Sequence, residues 1–278
     1  MTGTAGADAF PGPASRITPG RWDADAGRWT GRERISVPMN HDPAVPTPLV
    51  LYFHGHGGDV FTPFTGRAKN FETASVAAGW LFAAADGHSP SHFGAQPAID
   101  AYLHLVATAR EAFAIDRIVI MGESMGGLAS LTILGRRLVP EVVACVGVYP
   151  LTSVAEASAT SEEWAAQIRA SYDIAPDGSD AAVRTDGHSP MLAPLESFRD
   201  VPFLFFASPE DTVVSASANT HAFAARIAPV AGCVEVVATA GEHGDASTFT
   251  ADRQDDLLRF LGAARRLPAT RTRPATVG

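Results

Sequence analysis

The stretch at residues 118–128 places the pattern G-x-S-x-G between an apolar run and a helical repeat of leucines. A strand that turns into a helix within a few residues strains the backbone at Ser124. Gly122 and Gly126 remove the side chains that would clash there. The pattern predicts a serine hydroxyl held at the carboxyl end of a strand, beside helix amides that can stabilise an oxyanion. The alternative is an ordinary strand–helix turn in which the serine caps the helix.

Composition narrows the class of protein. The 278 residues are 46% hydrophobic and carry a formal net charge of −9, and Lys69 is the only lysine. The absence of a basic stripe argues against a nucleic-acid partner. Cys145 and Cys233 lie in apolar runs and are expected in the core, not in a disulfide or a metal site. Without a signal-peptide pattern or a membrane-length apolar run, we expect a soluble, cytoplasmic protein.

Strand-like and helix-like segments alternate along most of the chain. Residues 1–20 are expected to be a flexible segment, residues 21–264 one domain that begins with an edge hairpin, and residues 265–278 a flexible tail. Within the domain, apolar runs predict strands at 49–53, 80–85, 117–121, 142–149, 202–207 and 234–239. Helical patterns separate them. This alternation predicts an α/β fold with a mostly parallel central sheet and helices on both faces.

The alternation is interrupted at about residues 151–201, which contain many turn residues and no strong strand pattern. Thr160 and Glu163 fit a capping box, and Trp164, Ile168 and Tyr172 follow at helical spacing, which favours packing. Fifty residues are too many for a simple connection, so the segment is expected to form a small cap over one sheet edge.

Chemically active residue types follow four of the predicted strands. These segments are HGHGG at 54–58, Ser124, the acidic pair Glu210 and Asp211, and GEHGD at 241–245. Ligands bind open parallel sheets at the carboxyl edge, where these segments converge. The chain order of serine, acid and histidine is the order expected when the serine occupies such a turn.

Taken together, HGHGG, GESMGG, PEDTVV and GEHGD resemble the α/β-hydrolase superfamily, in particular its serine esterases and the catalytic domains of prolyl-oligopeptidase-type peptidases. The resemblance runs from about residue 35 to about residue 261. It implies the α/β-hydrolase fold with a small cap insertion. It also implies a serine hydrolase that uses no cofactor and acts on a small-molecule ester, with a peptide substrate as the alternative.

The candidate catalytic roles follow from the chemistry of the side chains. Ser124 needs a base to become nucleophilic, and His243 is the candidate because a free imidazole titrates near neutral pH. An exposed turn histidine is the competing interpretation. Asp211 is the candidate orienting acid, with Glu210 as its rival. Asp211 is preferred because the acid in the resembled superfamily precedes a short apolar stretch such as residues 212–214.

An oxyanion needs two amide donors, and the first candidate is the amide of Met125. The resemblance places the second donor at His56, with Gly57 as the alternative. His54 and His56 lack a third metal ligand, so structural hydrogen bonding is favoured over a metal site. DGHSP occurs at 86–90 and again at 186–190, which turn chemistry explains without function. A non-catalytic binding module is the alternative outside the enzymes. The sequence leaves the oligomeric state open.

Overall fold

The computed structural model describes residues 32–269 with their side chains, and the backbone of three short strands before them. The strands are β1 (Ala14–Thr18), β2 (Arg21–Asp23), β3 (Arg28–Thr30), β4 (Glu33–Val37), β5 (Leu49–Phe53), β6 (Leu81–Ala85), β7 (Ile118–Glu123), β8 (Val142–Val148), β9 (Pro202–Ala207) and β10 (Cys233–Ala238). The helices are α1 (Thr62–Thr65), α2 (Lys69–Ala77), α3 (Gln96–Ala112), α4 (Gly126–Gly135), α5 (Val154–Thr160), α6 (Glu162–Ser171), α7 (Ala181–Arg184), α8 (Ala222–Ile227) and α9 (Ala251–Ala264).

Eight strands form one sheet in the order β1-β4-β6-β5-β7-β8-β9-β10. Strands β5 to β10 run parallel to one another, while β4 is antiparallel to both β1 and β6. The predicted mostly parallel sheet is therefore confirmed. After β5 the chain adds β6 on one side and then crosses through α3 to β7 on the other. The ends of β5 and β7 therefore lie at a topological switch point, where open α/β sheets bind ligands.

Helices cover both faces of the sheet, as predicted. One apolar cluster packs α3, α4 and α8 against one face, and a second packs α2 and α9 against the other. Strands β5, β6 and β8 are buried along their whole length. Their sequences are therefore continuously apolar and do not alternate between apolar and polar residues.

The interruption between β8 and β9 is helical, and it contains α5, α6 and α7 followed by two short 3₁₀ turns. Ile168 and Tyr172 are buried in a third apolar cluster, together with Met125 and Leu128 at the start of α4. Trp164 packs on the same cluster. The stripe on α6 is therefore packing between the cap and the helix that follows Ser124.

The structure corrects two local predictions. The N-cap of α6 is Ser161, whose hydroxyl accepts the Trp164 amide, whereas Thr160 bonds back to the Glu156 carbonyl as the last residue of α5. Cys145 is buried, but Cys233 is exposed because β10 is the edge strand. Burial raises the pKa of the Cys145 thiol.

At the termini, β1 lies within the segment predicted to be flexible and pairs with β4 in the main sheet. The edge hairpin expected over residues 21–38 is divided, because β2 and β3 pair with each other in a separate two-stranded sheet while β4 joins the main sheet. The other residues of 1–20, and residues 270–278 of the predicted tail, lie outside the described part of the chain. Within the described residues, the structure contains no helix with the length and apolar character needed to cross a membrane.

Candidate active site

Ser124 occupies the sharp turn between β7 and α4. Its φ of 48° is in the left-handed region, where a residue with a side chain is uncommon. Its amide donates to the Val148 carbonyl of the neighbouring strand at 2.9 Å. A side chain on Gly122 would lie 2.9 Å from the Gly126 carbonyl oxygen, so only a glycine fits where the helix folds back on its strand. The turn thus fixes the serine hydroxyl at the carboxyl edge of the sheet.

Three side chains that are far apart in the chain meet at this edge. The His243 imidazole lies with Nε2 2.9 Å from Ser124 Oγ and with Nδ1 2.7 Å from Asp211 Oδ2. The Asp211 side chain is only 2% exposed, and its other oxygen accepts the amides of Val213 and Val214 at 2.9 and 2.7 Å. A neutral imidazole with its proton on Nδ1 satisfies both of its contacts. It leaves Nε2 free to accept the serine proton.

The rival acid Glu210 points elsewhere. Its carboxylate accepts the Gly241 amide at 2.7 Å, so it clamps the loop that carries His243 and does not bond the imidazole. Ser208 and Thr212 add two further bonds between the same two loops, to the Gly241 carbonyl at 2.7 Å and to the Glu242 carboxylate at 2.8 Å. The acid-bearing and histidine-bearing loops are therefore joined on both sides of the Asp211–His243 contact.

The predicted oxyanion donors differ in whether their backbone N–H is already hydrogen-bonded within the protein. The Gly57 amide donates to the Pro90 carbonyl at 2.8 Å, which leaves no N–H for a substrate. Among the described residues, the amides of Met125 and His56 have no hydrogen-bond acceptor. Of the two alternatives in the HGHGG turn, the geometry therefore favours His56.

Comparisons with known proteins agree with this architecture. No protein-family model matches the sequence, and a search of curated proteins finds no match. Among solved structures, an S-formylglutathione hydrolase from Agrobacterium tumefaciens superposes with a TM-score of 0.65 at 16% identity, over 94% of this chain and 98% of its own. An esterase from the fungus Rhizomucor miehei gives a TM-score of 0.64 at 17% identity, over 93% and 84%. The chain has the α/β-hydrolase fold.

Peptidases with the α/β-hydrolase fold also match. A puromycin-hydrolysing peptidase from Mycobacterium tuberculosis gives a TM-score of 0.66 at 14% identity over 92% of this chain. The chain spans only 36 to 40% of the length of the peptidase chains it matches. At these identities the likeness concerns the fold.

In this α/β-hydrolase fold, the cap bonds to the loop beside the HGHGG turn. Three cap side chains donate hydrogen bonds of 2.8 to 2.9 Å to backbone carbonyls within residues 91–94. The pairs are Ser171 with Ser91, Tyr172 with Phe93, and His188 with Gly94. The second DGHSP copy thus contributes a structural bond through His188. Because the Pro90 carbonyl holds the Gly57 amide, the same loop connects the cap to the turn that carries His56.

The side chains of His54 and His56 make the structural contacts that were favoured over metal binding. Both His54 nitrogens lie 2.8 to 2.9 Å from carbonyl oxygens, those of Gly55 and Asp86. His56 Nε2 lies 2.7 Å from Gln167 Oε1 on α6, and its ring contacts Trp164. Across residues 32–269, the side chains of His, Cys, Asp and Glu form no group of three that could hold a metal ion.

Sequence analysis missed a partly buried carboxylate beside Ser124. Glu123 accepts hydrogen bonds from the hydroxyls of Tyr52 and Tyr149, and the Tyr149 ring contacts His243. A charged residue between an apolar strand and Ser124 was the available signal. One tyrosine partner lies in β5 and the other directly follows β8, and a single sequence does not show that these positions are neighbours.

Stability should fall as the pH drops below about 6.5, because His92 is buried as the neutral form. Burial, and then the nearby histidines, hold the pKa of His92 well below its usual 6.5, and burial also lowers the pKa of His188. Below its usual pKa the unfolded chain binds protons that the folded chain does not. The stabilisation is therefore complete above about pH 6.5 and is lost as the pH falls through the folded pKa.

The variant His92→Asn tests whether His92 causes this loss of stability at low pH. Asparagine removes the titrating group and keeps an acceptor for the Gly94 amide, which His92 Nδ1 accepts at 3.0 Å. Urea unfolding at about pH 7.5 and about pH 5.5 should show a smaller loss of free energy in the variant than in the wild type. Parallel losses in the two proteins would contradict the assignment.

Proposed function

We propose that the protein is a serine hydrolase that cleaves carboxylic esters, with Ser124 as nucleophile, His243 as general base and acid, and Asp211 as the orienting acid. The observation that carries the proposal is the continuous hydrogen-bonded row from Asp211 through the imidazole to the Ser124 hydroxyl. This arrangement activates a serine that is otherwise a poor nucleophile at neutral pH.

In the acylation step, Ser124 Oγ attacks the ester carbonyl carbon and its proton passes to His243 Nε2. The amides of Met125 and His56 hold the resulting oxyanion. The imidazolium, stabilised by Asp211, then gives its proton to the departing alkoxide as the carbon–oxygen bond breaks. Water, deprotonated by the same imidazole, then attacks the acyl carbon. The bond to Ser124 Oγ breaks as the imidazolium returns its proton to that oxygen, and the carboxylic acid leaves. No cofactor takes part in this scheme.

A small-molecule ester is the leading substrate class, since the solved structures with this fold include esterases and an S-formylglutathione hydrolase. A peptidase of prolyl-oligopeptidase type is the second candidate, because its catalytic domains share the fold. The cytoplasmic location stays a prediction from the sequence.

A fluorophosphonate probe and two substrate classes test the proposal. The probe should label the wild type at Ser124 and should not label Ser124→Ala, because it reacts only with an activated serine. Acyl esters of p-nitrophenol should be hydrolysed with a higher kcat/KM than aminoacyl-naphthylamides. A preference for the amides would favour the peptidase. A folded protein that takes up no label and hydrolyses neither class would be a binding module, which would refute the proposal.

A further inference from the structure

Tyr149 has an unusual backbone for an aromatic residue. It directly follows β8, its φ is 39°, and its amide donates to the Phe206 carbonyl at 2.8 Å. A bulky side chain is uncommon in the left-handed region, and such residues persist where the surrounding structure holds them, often at functional sites. The strain prompts the question of what the Tyr149 side chain does.

The hydroxyl of Tyr149 is held by Glu123, the residue immediately before Ser124. It donates to Glu123 Oε1 at 2.6 Å, and Tyr52 donates to the other oxygen of the same carboxylate. Both tyrosines are buried, at 1% exposure for Tyr52 and 5% for Tyr149. Burial and then the Glu123 charge raise the pKa of both hydroxyls, so that both remain donors at neutral pH. The three residues form a tie across the ends of β5, β7 and β8.

The ring of Tyr149 contacts the imidazole of His243. The ring centroids are 4.6 Å apart with an interplanar angle of 64°, and Phe249 lies on the Tyr149 ring at 6.4 Å. The bonds to Asp211 and Ser124 fix the two nitrogens of the imidazole. They still allow the ring to tilt about the line that joins those nitrogens. A third contact away from that line restricts the tilt.

We propose that Tyr149 is a positioning residue for His243, its ring setting the plane of the imidazole while Glu123 holds that ring in place. The proposal rests on the serine hydrolase function proposed above, in which His243 must accept a proton from Ser124 and return it to the leaving group. Each transfer depends on the aim of Nε2. A misplacement of about 1 Å costs on the order of 10²-fold in rate.

Three variants separate the ring from its hydroxyl. Tyr149→Leu removes the ring contact and should lower kcat for p-nitrophenyl acetate by about 10- to 100-fold with KM changed less than about twofold. Tyr149→Phe keeps the ring but loses its tie to Glu123, so we expect a kcat about three- to fivefold below the wild type, between those of Tyr149→Leu and Tyr52→Phe. Tyr52→Phe is the matched control. It removes a hydroxyl from the same carboxylate, and its own ring contact among the described residues is with Phe82. We expect its kcat to stay within about twofold of the wild type.

A second measurement needs no turnover. The Nδ1 proton that His243 shares with Asp211 should give a low-field proton NMR resonance in the wild type and in Tyr149→Phe. The resonance should broaden or vanish in Tyr149→Leu. A folded leucine variant with wild-type kcat and an unchanged resonance would overturn the proposal. If the leucine variant does not fold, the two phenylalanine variants decide. A kcat for Tyr149→Phe no lower than that for Tyr52→Phe would show that the tie to Glu123 does not position the ring, which would overturn the proposal.

Failure of the proposed hydrolase function would give a different result from failure of the Tyr149 proposal. A wild-type protein that neither hydrolyses esters or amides nor reacts with fluorophosphonate would refute the hydrolase assignment. The imidazole resonance would still report whether Tyr149 orders His243.

Discussion

Replacing Ser124 with alanine should lower kcat/KM for p-nitrophenyl acetate by about 10⁴- to 10⁶-fold. In the proposed mechanism the variant loses the atom that forms the acyl bond, while the amides of Met125 and His56 remain to stabilise an oxyanion. The fold should be preserved, because Ser124 Oγ bonds only to His243 among the described residues and the change removes one buried oxygen.

Ser75→Ala is the matched control for that experiment. Ser75 is also fully buried, and its hydroxyl donates to the Phe71 carbonyl within α2, on the face of the sheet covered by α2 and α9. We expect wild-type turnover from this variant. Circular dichroism should show both variants folded. Near-wild-type hydrolysis by Ser124→Ala would remove Ser124 from the mechanism.

Gly126→Ala should lower the free energy of unfolding by about 3 kcal/mol or more. A methyl group at Gly126 would lie 2.6 Å from the Phe53 carbonyl carbon and 2.8 Å from the His54 carbonyl oxygen. Those atoms belong to the backbone at the end of β5, which cannot rotate away as a flexible side chain can. The start of α4 and the HGHGG turn would therefore have to separate, which would also displace the His56 amide.

Gly262→Ala is the control for this prediction. Gly262 lies inside α9, and a methyl group there would meet nothing within 4 Å. This variant should gain about 0.5–1 kcal/mol, because alanine loses less conformational entropy than glycine in a helix. Urea unfolding midpoints should therefore move in opposite directions. A Gly126→Ala midpoint equal to that of the wild type would contradict the close approach of α4 to β5.

The features that the sequence predicted well depend on local patterns. Continuous apolar runs predicted β5 and β8 because parallel strands are buried on both faces, and Gly122 and Gly126 predicted the turn at Ser124 because no side chain fits there. The sequence also predicted that Asp211, His243 and Ser124 lie close together, because the carboxyl ends of parallel strands share one edge of the sheet.

The features that the sequence did not predict depend on register and on contacts between loops. The tie from Tyr52 through Glu123 to Tyr149 requires that three neighbouring strands end at matching levels. Which of two adjacent acids faces the histidine depends on the bond from Glu210 to the Gly241 amide. The exposure of Cys233 follows from the position of β10 at the sheet edge, which an apolar run alone does not reveal.

Because β10 is an edge strand, the candidate site can come apart before the centre of the sheet unfolds. Ser124 follows β7, which has strands on both sides, whereas His243 follows a half-exposed strand whose only partner among the described strands is β9. Edge elements with few neighbours open more readily than central ones. Fraying of this last strand would carry the imidazole away from the serine while the centre of the sheet stayed intact. In the proposed mechanism, proton transfer therefore depends on an edge strand, and activity can be lost before the protein unfolds.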